Sequence, residues 1–127
     1  RNKLYVRNAS LNQEKINFKS HVLWIENFKK NNNKFFLIKI NNKNIGYIRI
    51  EKNNNFLNTS WALDKKYHGS GYMTTALKAV TDYSINNISR FKAFILKENL
   101  ASIKVAKKSG FKKMNLKRNF YVFQKKL

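Results

Sequence analysis

The 127-residue sequence contains no cysteine, so no disulfide staples the chain and no thiolate can hold a metal. That fits a reducing compartment; a cytoplasmic location is the default expectation and no metal site is expected. Proline is absent as well, and glycine occurs only four times. Acidic residues are scarce too, six against 27 Lys and Arg, for a net charge of +21. No hydrophobic run approaches the length of a membrane span and nothing resembles a secretory signal, so no membrane partner is expected. The sequence opens on Arg1 rather than Met, which leaves room for a preceding segment.

What is present suits one core. With 43% hydrophobic residues, ten Phe and two Trp, residues 1–127 can bury one hydrophobic core but hardly two, and are read as a single domain. The positive charge would ordinarily point to nucleic acid or an anionic surface. Lys far exceeds Arg, however, Asn recurs in runs such as "NNNK" and "KNNN", and Ala is sparse. An AT-rich coding sequence favours that residue set, so the charge supports an anionic ligand only weakly. The lysines are also spread along every element rather than gathered in a patch with interleaved aromatics, which argues against nucleic acid.

Periodicity divides the chain into alternating elements with short polar connectors. "RNKLYVRNAS" reads as a short helix, and "NFKSHVLWIENFKKNN" (17–32) as an amphipathic helix with Val22, Leu23, Ile25 and Phe28 near helical spacing and Ser20 as cap. "KFFLIKI" and "KNIGYIRIEK" read as strands of a hairpin turning at "NNKN", with a third strand in "NFLNTSWAL". The period then changes: Met73, Leu77, Val80 and Ile85 share a helical face. "RFKAFILK" is a strand, and "ENLASIKVAKKSGF" a helix stopped by Gly110. "FKKMN" and "NFYVFQKK" are closing strands. The order predicts an α/β fold with a mostly antiparallel central sheet flanked by helices.

Two of the four glycines, Gly69 and Gly71, fall where a strand has ended and a helix begins. The first turn of a helix carries amides without intrahelical acceptors and the positive end of the macrodipole, so an anion can dock there if no side chain intervenes. The glycines suit a phosphate cradle, or simply a turn that needs positive φ. "HGSG" lacks the Lys-Ser or Lys-Thr of a P-loop and the third glycine of a dinucleotide fingerprint.

"WALDKKYHGSGYMTTAL", followed after twenty residues by "ENLASIKVAKKSGF", resembles the paired signature of the GNAT N-acetyltransferases. In that family an arginine-or-glutamine, x, x, glycine, x, glycine-or-alanine loop binds the pyrophosphate of acetyl-CoA. His68 stands at the arginine-or-glutamine position, Gly71 matches the glycine, and Met73 stands at the final small position. The resemblance implies that Gly69, Ser70, Gly71, Tyr72, Met73 and Thr74 surround the pyrophosphate, with His68 beside them. The backbone of Trp61, Ala62 and Leu63 would pair with the pantetheine arm. It further assigns Asn99 to a cofactor contact, which a helix N-cap role also explains. Ser102 would lie near the sulfur and protonate the departing thiolate, whereas Ala106 occupies the position where many members carry a Tyr as general acid.

The implied reaction is direct attack of a primary amine on the acetyl thioester. No base stands out among the six carboxylates. The inward positions of "FKAFIL", where relatives carry Glu, are read as Lys92 or Phe94; Glu98 favours a helix dipole; Glu26 and Glu51 are placed on charged, exposed faces. A water relay is the expectation. For the acceptor, "YHGSGYMTTAL" resembles the ribosomal-protein-alanine acetyltransferases. "RN" at Arg1 and Asn2 together with "HVLW" resembles the branch acting on nucleotide-linked amino sugars, placing Arg1 and His21 against the nucleotide. In that branch a strand precedes the Arg-Asn, so the family's first strand is expected to be missing here. The sugar is the preferred acceptor, a protein N-terminus the alternative, and a non-catalytic CoA- or nucleic-acid-binding module the alternative of another class. A homodimer stays open.

Overall fold

A computed structural model describes residues 4–7, 12–18, 21–30, 33–83 and 90–126. It is a mixed α/β structure built on a mostly antiparallel sheet. The described strands are β1 (Leu4–Arg7), β2 (Asn12–Phe18), β3 (His21–Lys30), β4 (Asn33–Ile40), β5 (Lys43–Lys52), β6 (Leu57–Leu63), β7 (Arg90–Leu96), β8 (Lys112–Leu116) and β9 (Phe120–Lys126). Two helices, α1 (Tyr72–Tyr83) and α2 (Leu100–Lys108), follow β6 and β7 respectively. The strands form one sheet in the order β1-β2-β3-β4-β5-β6-β7-β9-β8. No described helix is long and apolar enough to cross a membrane.

The early helices are overturned. Residues expected to form a helix over 17–32 instead supply the end of β2 and all of β3, and part of the segment expected as a short helix forms β1. Leu23, Ile25 and Asn27 are buried, and their intervening neighbours Trp24, Glu26 and Phe28 lie on the opposite face. Because both faces carry large apolar residues, the period of two is masked in the sequence. β-Branched and aromatic side chains favour the pleated surface, and pairing from Leu23↔Ile40 to Lys30↔Asn33 provides the backbone partners. Glu26, expected on an exposed face, is buried and ion-paired with Lys39 at 2.6 Å. The expected first-strand deficit concerns residues before Arg1, outside the described residues, as is the helical position of Ile85.

The later elements follow their local signals. Ile40 and Lys43 face each other across a two-residue turn in which Asn41 and Asn42 have φ of 52° and 64°. Two left-handed residues are what a type I′ hairpin turn requires, and Asn tolerates that conformation. α2 ends in a Schellman motif: Phe111 N–H donates to Ala106 O at 2.9 Å and Gly110 N–H to Lys107 O at 3.3 Å, with Gly110 at φ 99°. Lys125 seals this corner. Its stem passes 3.3 Å from where a Cβ on Gly110 would sit, and its ammonium donates to Thr81 Oγ1 of α1 at 2.7 Å. Burial pushes the Lys125 pKa below its ordinary value, opposed by Asp82 and reinforced by Lys78.

One buried cluster joins the sheet face carrying Leu23, Ile38, Ile48 and Phe91 to Met73, Leu77 and Val80 of α1 and to Ala106 of α2. In β7 the inward side chains are Phe91, Ala93 and Ile95. Phe94, read as inward, is 47% exposed, and Lys92 shares its face. Ile45 is an extra residue between the Ile38↔Gly46 and Lys39↔Asn44 pairs, so β5 bulges where it meets the end of β6. There Gly46 permits the close approach: an added Cβ would run into the Ala62 carbonyl and lie 3.1 Å from Leu63 Cα. Gly46→Ala is expected to cost about 1–3 kcal/mol by forcing β6 outward. Denaturant unfolding checks this, and wild-type stability would contradict it.

Candidate functional site

β6 and β7 run parallel, but their register extends only over Leu57↔Phe91 and Asn58↔Lys92. Beyond that point β7 continues with β9 on its other side, whereas β6 continues with β5 alone. The strands splay, and backbone groups of β6 that would have faced β7 border a gap. Strand amides and carbonyls alternate in direction, so the end of β6 offers hydrogen-bonding groups to whatever enters.

The chain leaves β6 through a tightly bonded turn. Asp64 N–H donates to Ile45 O at 2.7 Å, holding the strand end to β5. Lys65–Tyr67 form a 3-10 turn, in which Tyr67 N–H donates to Asp64 O and His68 N–H to Lys65 O at 2.9 and 3.0 Å. The His68 ring reaches back, Nε2 lying 2.9 Å from Leu63 O. Gly69 and Gly71 then take φ of 83° and 82°, and α1 begins. Nothing lies within 4 Å of a Cβ position on Gly69, so its backbone angle, not crowding, demands glycine there. Thr75 N–H donates to Gly71 O at 3.0 Å, which makes Gly71 the residue that opens the helix. No acidic residue occupies the first turn, leaving its positive end without a carboxylate of its own.

The start of α2 faces this loop. Asn99 caps the helix, its Oδ1 accepting from Ser102 N–H at 3.2 Å. The capping role is therefore realised in the side chain that the resemblance assigns to the cofactor. Ser109 Oγ lies 3.5 Å from Thr74 O, bracing one helix against the other.

The gap, the loop and the two helix starts enclose a cleft of about 810 Å³. Its lining brings together Trp61, Ala62, Leu63, His68, Gly69, Gly71, Tyr72, Met73, Thr74, Asn99 and Ser102. Ser70 is the cofactor residue of the resemblance that does not line it. Arg1 and the side chain of His21 lie outside the described residues. Trp61 packs on Phe111 with ring centroids 6.0 Å apart, and its buried Nε1 has no hydrogen-bond partner among the described residues. Ala106 is fully buried and absent from the wall.

Sequence reasoning missed Tyr67, which stands edge-on to Tyr72 at 6.1 Å, and a row on α2 containing Ala101, Lys104, Val105 and Lys108. The row was discoverable: those four positions share one helical face, and Lys104 and Lys108 are one turn apart. Uniform lysine enrichment hid them. The described wall contains two lysines and no carboxylate, so its charge favours an anion.

An acetyltransferase (GNAT) domain model matches residues 3–112. A probable N-acetyltransferase of Bacillus subtilis, YjcK, is 38% identical over 58 residues, covering 44% of this chain and 32% of the relative. That alignment therefore spans about a third of the curated relative's length. Among solved structures, the ribosomal-protein-S5-alanine acetyltransferase of Vibrio fischeri superposes with a TM-score of 0.67 at 22% identity, covering 74% of this chain and 61% of that one. The Campylobacter jejuni N-acetyltransferase PseH in complex with acetyl coenzyme A gives 0.63 at 18% identity, with 76% and 70% coverage. At these identities the structural likeness speaks for the fold, and the family match covers most of the sequence. The chain belongs to the GNAT acetyltransferase family.

Proposed function

We propose that this protein transfers the acetyl group of acetyl-CoA to a primary amine, and that the cleft between β6, α1 and α2 holds the cofactor. The observation that carries this reading is the joining of a splayed strand end to a glycine-turned helix N-terminus in one cleft. An extended, amide-bearing arm ending in phosphates fits both parts. Open space at Gly69, the uncompensated first turn of α1, and Lys104 with Lys108 suit the phosphates. The backbone groups of Trp61–Leu63 that point away from β5, apart from the Leu63 carbonyl already bonded to His68, suit the amides of the arm. The fit is good in volume, polarity and charge.

Acetyl-CoA supplies the activated thioester when bound. The chain's own residues orient it and stabilise charge. Backbone N–H at the end of β6 donates to the carbonyl oxygen as negative charge develops on it. The Ser102 hydroxyl, in the first turn of α2 and in the cleft wall, passes a proton to the departing thiolate and regains one from the newly bonded nitrogen through water, so that no alkoxide is left. The attacking ammonium loses its proton through water, in keeping with a described wall that has no carboxylate. The finer reading of the acceptor, an amino group on a nucleotide-linked sugar, rests on the sequence likeness at Arg1, Asn2 and His21.

An acceptor screen with acetyl-CoA, following free thiol, tests the function. UDP- and dTDP-linked amino sugars are expected to react and N-terminal alanine peptides not to; the reverse would assign a protein acceptor. Acetyl-CoA is expected to raise the melting temperature in a concentration-dependent way. If oligonucleotide does so and acetyl-CoA does not, the chain is a nucleic-acid-binding module. Gly71→Val places a branched side chain at φ 82°, costing about 1–3 kcal/mol, and is expected to fold yet lose the acetyl-CoA shift. An unchanged shift would refute the cradle. Ser102→Ala is expected to slow turnover on the order of 10²-fold with affinity for acetyl-CoA retained. Wild-type turnover would dismiss its acid role.

A further inference from the structure

His68 stands where the family pattern has arginine or glutamine, yet its ring is turned back toward the strand it has just left. Nε2 lies 2.9 Å from the Leu63 carbonyl. A carbonyl only accepts, so Nε2 bears the hydrogen and the bond is Nε2–H···O. In the neutral ring Nδ1 is then an acceptor, which a phosphate oxygen cannot hydrogen-bond. The position of the ring is explained by Leu63, not by an anion at the start of α1.

Resting on the acetyl-CoA reading above, we propose that His68 is a positioning residue: its ring latches the glycine loop to the end of β6 and fixes the distance between the two halves of the cofactor cleft. Leu63 belongs to the half built from strand backbone, and Gly69 and Gly71 to the half built from helix amides. Between them the turn has its own backbone bonds, Tyr67 to Asp64 and His68 to Lys65. Those bonds shape the turn without tying its far end to the strand. Two glycines with positive φ follow at once, and glycine is the residue that gives up most conformational freedom when ordered. The ring closes the span from Leu63 to His68 just before that glycine segment. On the strand side Leu63 is itself held, through Asp64 N–H to Ile45 O and through its close packing on Gly46. The latch therefore joins the glycine loop to a fixed point of the sheet. His68 is exposed, so its loss leaves no buried hole.

Calorimetric titration of the whole chain with acetyl-CoA tests this. Wild-type protein must bind; no binding would sink the cofactor reading itself, separately from the latch. His68→Ala is expected to weaken binding about 3- to 10-fold, the worth of one hydrogen bond that orders the site. His68→Gln, whose amide nitrogen reaches the same place, is expected to restore affinity to within about 2-fold, and the shorter His68→Asn to stay as weak as alanine. The slope of log Kd against log salt is expected to be unchanged in His68→Ala, because no charge on the ligand is being paired. Wild-type affinity in His68→Ala, failure of glutamine to rescue, or a reduced salt slope would each overturn the latch.

Discussion

Side-by-side pairing of β6 with β7 lasts for two residue pairs, and the rest of the site depends on where it stops. Had the register continued past Asn58 and Lys92, the amides and carbonyls of Thr59–Leu63 that point away from β5 would be spent on β7 and no gap would open. Several features hold the strands apart. β7 pairs with β9 along its whole length, from Arg90↔Lys126 to Leu96↔Phe120. β6 is held to β5 through Gly46↔Leu63, where the missing side chain of glycine lets the strands approach. Trp61 and Phe111 pack together beside the opening.

The polar parts of the cleft are arranged around that opening by short-range rules. A 3-10 turn and two positive-φ glycines carry the chain from strand to helix, so the first turn of α1 lines the cavity. Asn99 caps α2 through the Ser102 amide, which fixes the start of the second helix beside the first. Both helices thus present their N-terminal ends, and α2 adds Lys104 and Lys108. A scaffold with an overall charge of +21 needs little further to attract an anion, but the cleft makes the attraction local.

The part of the structure legible in the sequence begins near Lys34. Local chemistry decides there: Asn41 and Asn42 accept left-handed angles, Gly110 completes a Schellman motif, and α1 carries its apolar residues on one face. The reading of the glycine loop as a cofactor cradle came through family likeness more than through its glycines, which alone left a phosphate cradle and a plain turn both open. β3 was misread because Trp24 and Phe28 make its second face apolar, leaving a pattern that helical spacing also fits. Glu26 was misread with it, since its burial depends on Lys39 across the strand pair, a contact that no local window contains. The role of the His68 ring was hidden for a similar reason: five residues separate it from the Leu63 carbonyl, and only the folded turn brings them together.

In the proposed function, the splayed end of β6 and the first turn of α1 are two halves of one acetyl-CoA site. Amide hydrogen exchange with and without acetyl-CoA measures both halves at once. Exchange is expected to slow at residues 61–63 and 71–75 together, with no change along β4. Protection confined to one half, or appearing on the sheet away from the cleft, would contradict it.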